Sequence, residues 1–207
     1  MNRIKNKNIR KGIDLLKREI FRFSREEVKI ENNELIYSLK KVNKFNISRY
    51  NQTVLGELGR AYAILKMIDE FKIPPQSIIC EQTSIVGSPS KRIDLKIDIA
   101  DTYKGRNCMA LVECKTTIHS ISDREFTNYF RRQLYNVAHS YAKDVNQAYP
   151  LVLIAIEITL NEKPNFSYYW FFYPEIEKMR ETGQFSLEEI ISRNSPLAYK
   201  ISPCLLY

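Results

Sequence analysis

The sequence is poor in the residues that build metal clusters. Its 207 residues include four cysteines, Cys80, Cys108, Cys114 and Cys204, and two histidines, His119 and His139. No two cysteines are spaced C-x-x-C and no histidine pair accompanies them, which argues against a zinc site. Few, scattered thiols suit a reducing compartment, so a cytoplasmic location is expected. His119 reads as a loop residue, and His139 as a helix residue that packs or faces solvent. Two histidines so placed support no Ser-His-Asp arrangement. Long apolar runs are also missing. The longest aliphatic run, LVLIAI at 151–156, is far too short to span a bilayer. The first residues, MNRIKNKNIRKG, lack the apolar region of a secretory signal. No internal repeat or low-complexity tract occurs.

What the chain does have is positive charge. Its formal net charge is +8, with 44% hydrophobic and 27% charged residues. That is an ordinary soluble composition with a basic excess, and it favours a polyanionic partner, nucleic acid or an acidic membrane surface.

The periodicity predicts an α/β fold. Ile9, Ile13, Leu16 and Ile20 are spaced as one helical stripe among lysines and arginines, so residues 8–23 are expected to form a basic amphipathic helix. VKIENNELIYSL reads as a hairpin around Asn32-Asn33. Residues 1–49 are expected to be a leader, and 50–207 the main domain with a C-terminal extension. Helices are expected over 52–71 and 122–141, with short ones over 175–181 and 187–193. Strands are expected over 77–86, 93–99, 108–116, 149–159 and 167–173, with turns at 87–90 and 104–107. The order of helices and strands describes a mixed sheet flanked by helices.

Two of these strands carry charge inside an apolar alternation, in RIDLKIDIADTYKGRNCMALVECK at 92–115. Buried charge is costly unless it is paired or metal-bound. Glu113 and Lys115 share one strand face, about 7 Å apart, and Cys114 turns to the other. If the preceding strand pairs antiparallel, Asp94 comes beside Glu113. Two converging carboxylates make an oxygen-rich site suited to Mg²⁺. A lone E-x-K pair is more often a solvated ion pair, so two further residues matter. Glu57 continues the inward stripe Ala61, Ile64 and Ile68, and would contact a metal or its water; pairing with Arg60 is the alternative. Gln133 stands in the stripe Phe126, Tyr129 and Val137, and an inward amide must be hydrogen-bonded. It would meet the site carboxylates, a DNA phosphate, or backbone.

Four segments taken together resemble the PD-(D/E)xK nuclease superfamily, specifically the N-terminal nuclease domain of type I restriction enzyme R subunits and their stand-alone relatives. GELGRAYAILKMIDEFKIPPQSIICEQ resembles that family's acid-bearing helix and the approach to its first strand. KRIDLKI resembles its R-x-D strand, LVECK its E-x-K strand, and RRQLYNVAHSY its QL…Y helix. The resemblance implies a restriction-endonuclease-like core. It implies Asp94 and Glu113 as metal ligands with the Cys114 backbone carbonyl, Lys115 as the catalytic lysine, and Glu57 as an acid on the first helix that contacts the metal or its water. It places Gln133, with Tyr141, on the helix that contacts DNA or the site. The implied cofactor is Mg²⁺, with Mn²⁺ able to replace it, and the implied activity is DNA endonuclease in restriction or DNA defence. Implied partners are DNA and the motor, methyltransferase or specificity subunits of a restriction complex. A homodimer would suit cutting of both strands, and no membrane is expected.

The chain departs from the family pattern in three ways. Ile93 stands where the family's name has Pro, Glu57 and Arg60 are spaced E-x-x-R, and Asp98 shares the face of Asp94 and competes with it as ligand. No G-x-x-x-x-G-K-[ST] loop is present, so no motor is expected. The alternative reading is a catalytically idle module of the same fold that binds DNA or a partner protein. A third reading is a membrane-surface protein that uses the basic helix.

Overall fold

The computed structural model describes residues 2–80, 93–183, 185–195 and 197–198. Lys91, Arg92, Cys204, the expected turn at 87–90 and the strand portion 81–86 lie outside these residues.

The chain opens with α1 (Asn2–Phe23), and its stripe Ile9, Ile13, Leu16 and Ile20 is buried as the spacing predicts. β1 (Val28–Glu31), β2 (Glu34–Ser38) and β3 (Val42–Asn46) form an antiparallel meander. Asn32 and Asn33 make its first turn at φ 49° and 61°. Two successive left-handed residues are what a tight hairpin needs, and asparagine tolerates that conformation well. β3 was not foreseen: none of VNKFN is buried, Asn43 and Phe45 are half-buried, and the apolar Val42 is exposed. α2 (Gln52–Glu70) starts where the Asn51 side chain accepts the Val54 N–H at 2.9 Å. It ends before Pro74, which opens a short 3₁₀ turn at Pro75–Ser77.

The remaining strands are β4 (Ile78–Cys80), β5 (Leu95–Tyr103), β6 (Arg106–Thr117), β7 (Tyr149–Leu160) and β8 (Pro164–Phe172), in the sheet order β4-β5-β6-β7-β8. β5 and β6 are an antiparallel hairpin closed by Lys104 and Gly105 at φ 52° and 73°. Between β6 and β7 run α3 (Asp123–Phe130), a π-helical segment (Arg131–Tyr135) and α4 (Asn136–Lys143). A helical crossover of this kind joins parallel strands, so the sheet is mixed. α5 (Tyr173–Thr182) and α6 (Leu187–Ile190) follow β8.

The chain divides into two compact units, and β6, β7 and β8 each contribute to both. The first comprises Met1–Cys80, Cys114–Ser120 and Ile156–Ser167. Residues 1–49 therefore share a unit with α2. Here Gly12 lets α1 approach closely: a Cβ on it would lie 2.9 Å from Leu160 Cδ1 and 3.1 Å from Leu55 Cδ1. The second unit comprises Glu81–Glu113, Ile121–Ala155 and Tyr168–Tyr207. Its core gathers Leu111, Phe126, Phe130, Leu153 and Phe171. Arg106, expected in the turn, instead begins β6. Its guanidinium donates to the carbonyls of Tyr141, Ala142, Asp144 and Gln147 at 2.6–3.1 Å. It thereby ties together carbonyls at the end of α4 and in the turn that follows it.

The expected single helix over 122–141 is corrected. The Asn136 N–H donates to the Arg131 carbonyl, five residues back. One extra residue in that turn rotates everything after it by about 100° relative to an unbroken α-helix. The buried apolar residues are Phe126, Phe130, Leu134, Tyr135, Val137, Ala138 and Tyr141, so Val137 of the predicted stripe stays inside while Gln133 is turned outward and exposed.

Candidate active site

The β5–β6 register sets the centre of the candidate site. Leu95 stands opposite Val112. One residue further, just before β5 begins, Asp94 comes beside Glu113, and its N–H donates to Glu113 Oε2 at 3.3 Å. Asp98 is opposite Met109. It lies four residues from Asp94, about 13 Å along the strand, and so is removed from Glu113.

Glu113 is 6% exposed, so its carboxylate depends on neighbours for stability. Besides the Asp94 N–H, the Tyr129 hydroxyl of α3 donates to Oε1 at 2.7 Å. Both carboxylate oxygens of Glu113 thus have a hydrogen-bond donor. In the sequence Tyr129 stood out only as an apolar member of a helical stripe. Its hydroxyl, rather than the Gln133 amide, is the helix group that meets Glu113.

Lys115 follows two residues along β6 and is half-buried. Alternation puts it on the face of Glu113, and puts Thr117 after it. The Thr117 hydroxyl is buried and has no hydrogen-bond partner among the described residues. Cys114 turns its thiol to the opposite face. That second face is where α2 packs, because a Cβ on Gly59 would lie 1.7 Å from Thr116 Oγ1.

Glu57 is buried, as its place in the α2 stripe predicts. Its partners include Arg60, whose Nη1 lies 3.1 Å from Glu57 Oε1, and the Tyr37 hydroxyl at 3.4 Å. Pairing with Arg60, the alternative weighed from sequence, is therefore present. Lys96 lies over the Tyr141 ring at 4.5 Å, and Arg131 pairs with Glu188. His139 Nδ1 meets the Tyr173 hydroxyl at 3.2 Å, in a network with Tyr135, Glu177 and Arg180. Burial pushes the Tyr135 and Tyr173 phenols well above their ordinary range, with Glu177 adding to the effect.

One acid was passed over in the sequence. Glu157 is 6% exposed in the middle of β7, whose residues are all buried. Alternation puts it on the face of Leu153 and Ala155, which share a cluster with Met109 and Leu111 from the Lys115 face of β6. A single carboxylate inside LVLIAIEITL was the available signal.

The donor set of carboxylate and carbonyl oxygens suits a hard cation. No three metal-ligating side chains gather among the described residues. Mg²⁺ needs only one or two carboxylates when waters and phosphate complete its shell. Among the described residues no helix is long and apolar enough to cross a membrane. No protein-family model matches this chain, and no curated protein matches it.

Proposed function

We propose that the protein is a Mg²⁺-dependent deoxyribonuclease of the restriction-endonuclease-like class, acting on phosphodiesters in a restriction or DNA-defence setting. The observation that carries this reading is the pairing of Asp94 with Glu113 at the end of the β5–β6 hairpin, with Lys115 next on the same face of β6. This is the constellation that the resemblance to PD-(D/E)xK nucleases calls for, in matching order along the chain.

Asp94, Glu113 and the Cys114 carbonyl would hold the ion. When bound, Mg²⁺ supplies a coordinated water of lowered pKa and neutralises charge on the phosphate. The Lys115 ammonium stabilises negative charge as it builds on the phosphate oxygens and orients the attacking water. Tyr129 and the Asp94 N–H hold the Glu113 carboxylate in one orientation, the task that outer partners perform for metal ligands. Glu57, ion-paired with Arg60 on α2, is a supporting acid on the strength of the resemblance alone. Gln133, exposed on the α3–α4 connection, is available to a DNA phosphate rather than to the carboxylates. The chain's net +8 draws a polyanion toward an acidic centre that would otherwise repel it.

The test is plasmid nicking with Mg²⁺ or Mn²⁺, comparing the wild type with Asp94→Ala and Lys115→Ala. Metal-dependent cleavage lost in both variants is the expected result. Cleavage that survives both variants overturns the site. DNA binding without any cleavage favours the idle module.

A further inference from the structure

We propose that a groove between α1 and the C-terminal ends of β6 and β7 seats the phosphodiester backbone of a nucleic acid. The groove lies wholly within the first unit and has a volume of about 620 Å³. Lys11, Asp14 and Arg18 of α1 form one wall. The other is formed by His119, just beyond β6, and by Asn161 and Glu162, just beyond β7. Its floor includes Gly12 and the buried Leu160.

Charge identifies the occupant. Residues 6–23 carry six cations against two carboxylates, a net +4 of the chain's +8. Half of these cations are already engaged. Arg10 and Lys17 lie over the Tyr50 ring at 4.8 and 5.7 Å, and Arg22 pairs with Glu19 at 2.5 Å. Asp14 accepts from the Tyr50 hydroxyl at 3.4 Å. Lys7, Lys11 and Arg18 are exposed and make no ion pair among the described residues, although Asp14 and Glu162 line the same groove as two of them. Lys11 and Arg18 are seven residues apart, hence on one helix face and about 10 Å apart along its axis. That span matches about three successive phosphates of one duplex strand. His119, Asn8 and Asn161 add side-chain groups able to donate to phosphate oxygens.

Position supports the same occupant. Ligands of open α/β sheets bind outside the carboxyl ends of the strands. His119 stands four residues past Lys115 along the chain leaving β6, so a backbone held here lies at the strand end that carries Lys115. A lipid surface is disfavoured. The apolar stripe that a membrane helix would insert is Ile9, Ile13, Leu16 and Ile20, and it is buried within the protein. Phe21 is the exception, exposed by itself at the far end of the helix.

This inference rests on the nuclease reading for the identity of the polyanion, and its test is independent of cleavage. The full chain is titrated, without divalent metal, against a labelled 20-bp duplex DNA of mixed sequence over a salt series, with the matching RNA duplex as a second arm. The variant Lys11→Gln/Arg18→Gln is compared with the surface control Lys143→Gln/Lys178→Gln, and thermal melts confirm that both fold. We expect the groove variant to bind at least tenfold more weakly. Its salt slope should be smaller by about two phosphates' worth, and the control should stay near wild type. Loss on either nucleic acid supports the groove. Equal binding by the groove variant, or equal loss in the control, overturns it. Failure of the wild type to bind, or binding only to phosphatidylserine vesicles, also overturns it. If the groove variant binds normally while Lys115→Ala abolishes nicking, this inference falls and the nuclease reading stands. If wild type never nicks but groove-dependent binding holds, the reverse is true.

Discussion

Gly59→Ala tests the packing that positions the site strand. A methyl group in a helix interior would ordinarily help, because alanine is favoured over glycine there by about 1 kcal/mol. At Gly59 the added Cβ would fall 1.7 Å from Thr116 Oγ1, 2.8 Å from its Cβ and 3.0 Å from its Cγ2. Restoring a normal contact of about 3.5 Å needs a relative shift of nearly 2 Å between α2 and the end of β6. The side chain cannot swing clear, because its own Cβ is also too close. Overpacking of this kind costs about 1–3 kcal/mol and more where backbone must move, so the net loss expected is about 2 kcal/mol. For a chain of this size that corresponds to a fall in Tm of about 4–8 °C, read by circular dichroism. Thr116→Ala removes both γ atoms and leaves the 2.8 Å Cβ approach. Combined with Gly59→Ala it should recover part of the loss, with a coupling of about 1 kcal/mol. A Gly59→Ala protein as stable as wild type, or effects that simply add, would refute the close approach of α2 to β6.

Arg106→Met should destabilise by about 3 kcal/mol by opening four carbonyls around the end of α4. Arg106→Lys should recover little, since an ammonium cannot span that fork; unchanged hydrogen exchange over residues 141–149 would count against this. Tyr129→Phe should lower metal-dependent cleavage about 10–100-fold and raise the Mg²⁺ concentration needed, with the secondary structure intact. Wild-type cleavage and wild-type metal demand would remove Tyr129 from the site. Alkaline pH should unfold the protein through its buried phenols. Burial, then the neighbouring Tyr103, pushes Tyr149 up from 10.0 to about 12, and Tyr135 and Tyr173 are raised further. A raised pKa favours the protonated folded state, so this stability is complete below pH 10 and is lost as pH climbs toward 12. Tyrosinate absorbance should therefore show a late fraction that appears together with unfolding. Complete ionisation by pH 11 with structure retained would contradict it.

Much of the fold was legible because burial writes a period into the chain. The α1 and α2 stripes, the Asn32-Asn33 turn and the alternation of β5 survive as read, since each is decided by residues a few positions apart. β3 was missed because VNKFN has little apolar content and is held by its neighbour β2 through backbone pairing, which sequence period does not report. Arg106 was misread for a related reason. Its partners are 35–41 residues away, and they are carbonyls, which carry no sequence signature.

The candidate site shows where such reading stops. Strand order suggested that Asp94 could lie beside Glu113, but the turn alone would put Lys115 opposite Asp94; the irregularity between Ile99 and Thr102, which carries no sequence signal, brings Glu113 there. Gln133 could not be placed, because its orientation depends on a π turn that adds one residue to the helix after Phe130. The shift has a physical rationale in the residues themselves. An unbroken α-helix would carry the stripe of Phe126 and Phe130 on to Gln133 and Val137, leaving an amide inside. With the extra residue, Tyr135 takes an inside position next to Leu134, and its hydroxyl reaches Glu177 at 2.8 Å. Burying a satisfied Tyr offsets one irregular turn, because a buried amide without partners costs about 1–3 kcal/mol. The same turn leaves Tyr129 on the last regular turn, at the height of Glu113, and its hydroxyl serves the carboxylate in place of the amide. Tyr129, ahead of the π segment, meets Glu113, while Gln133, inside that segment, is turned out.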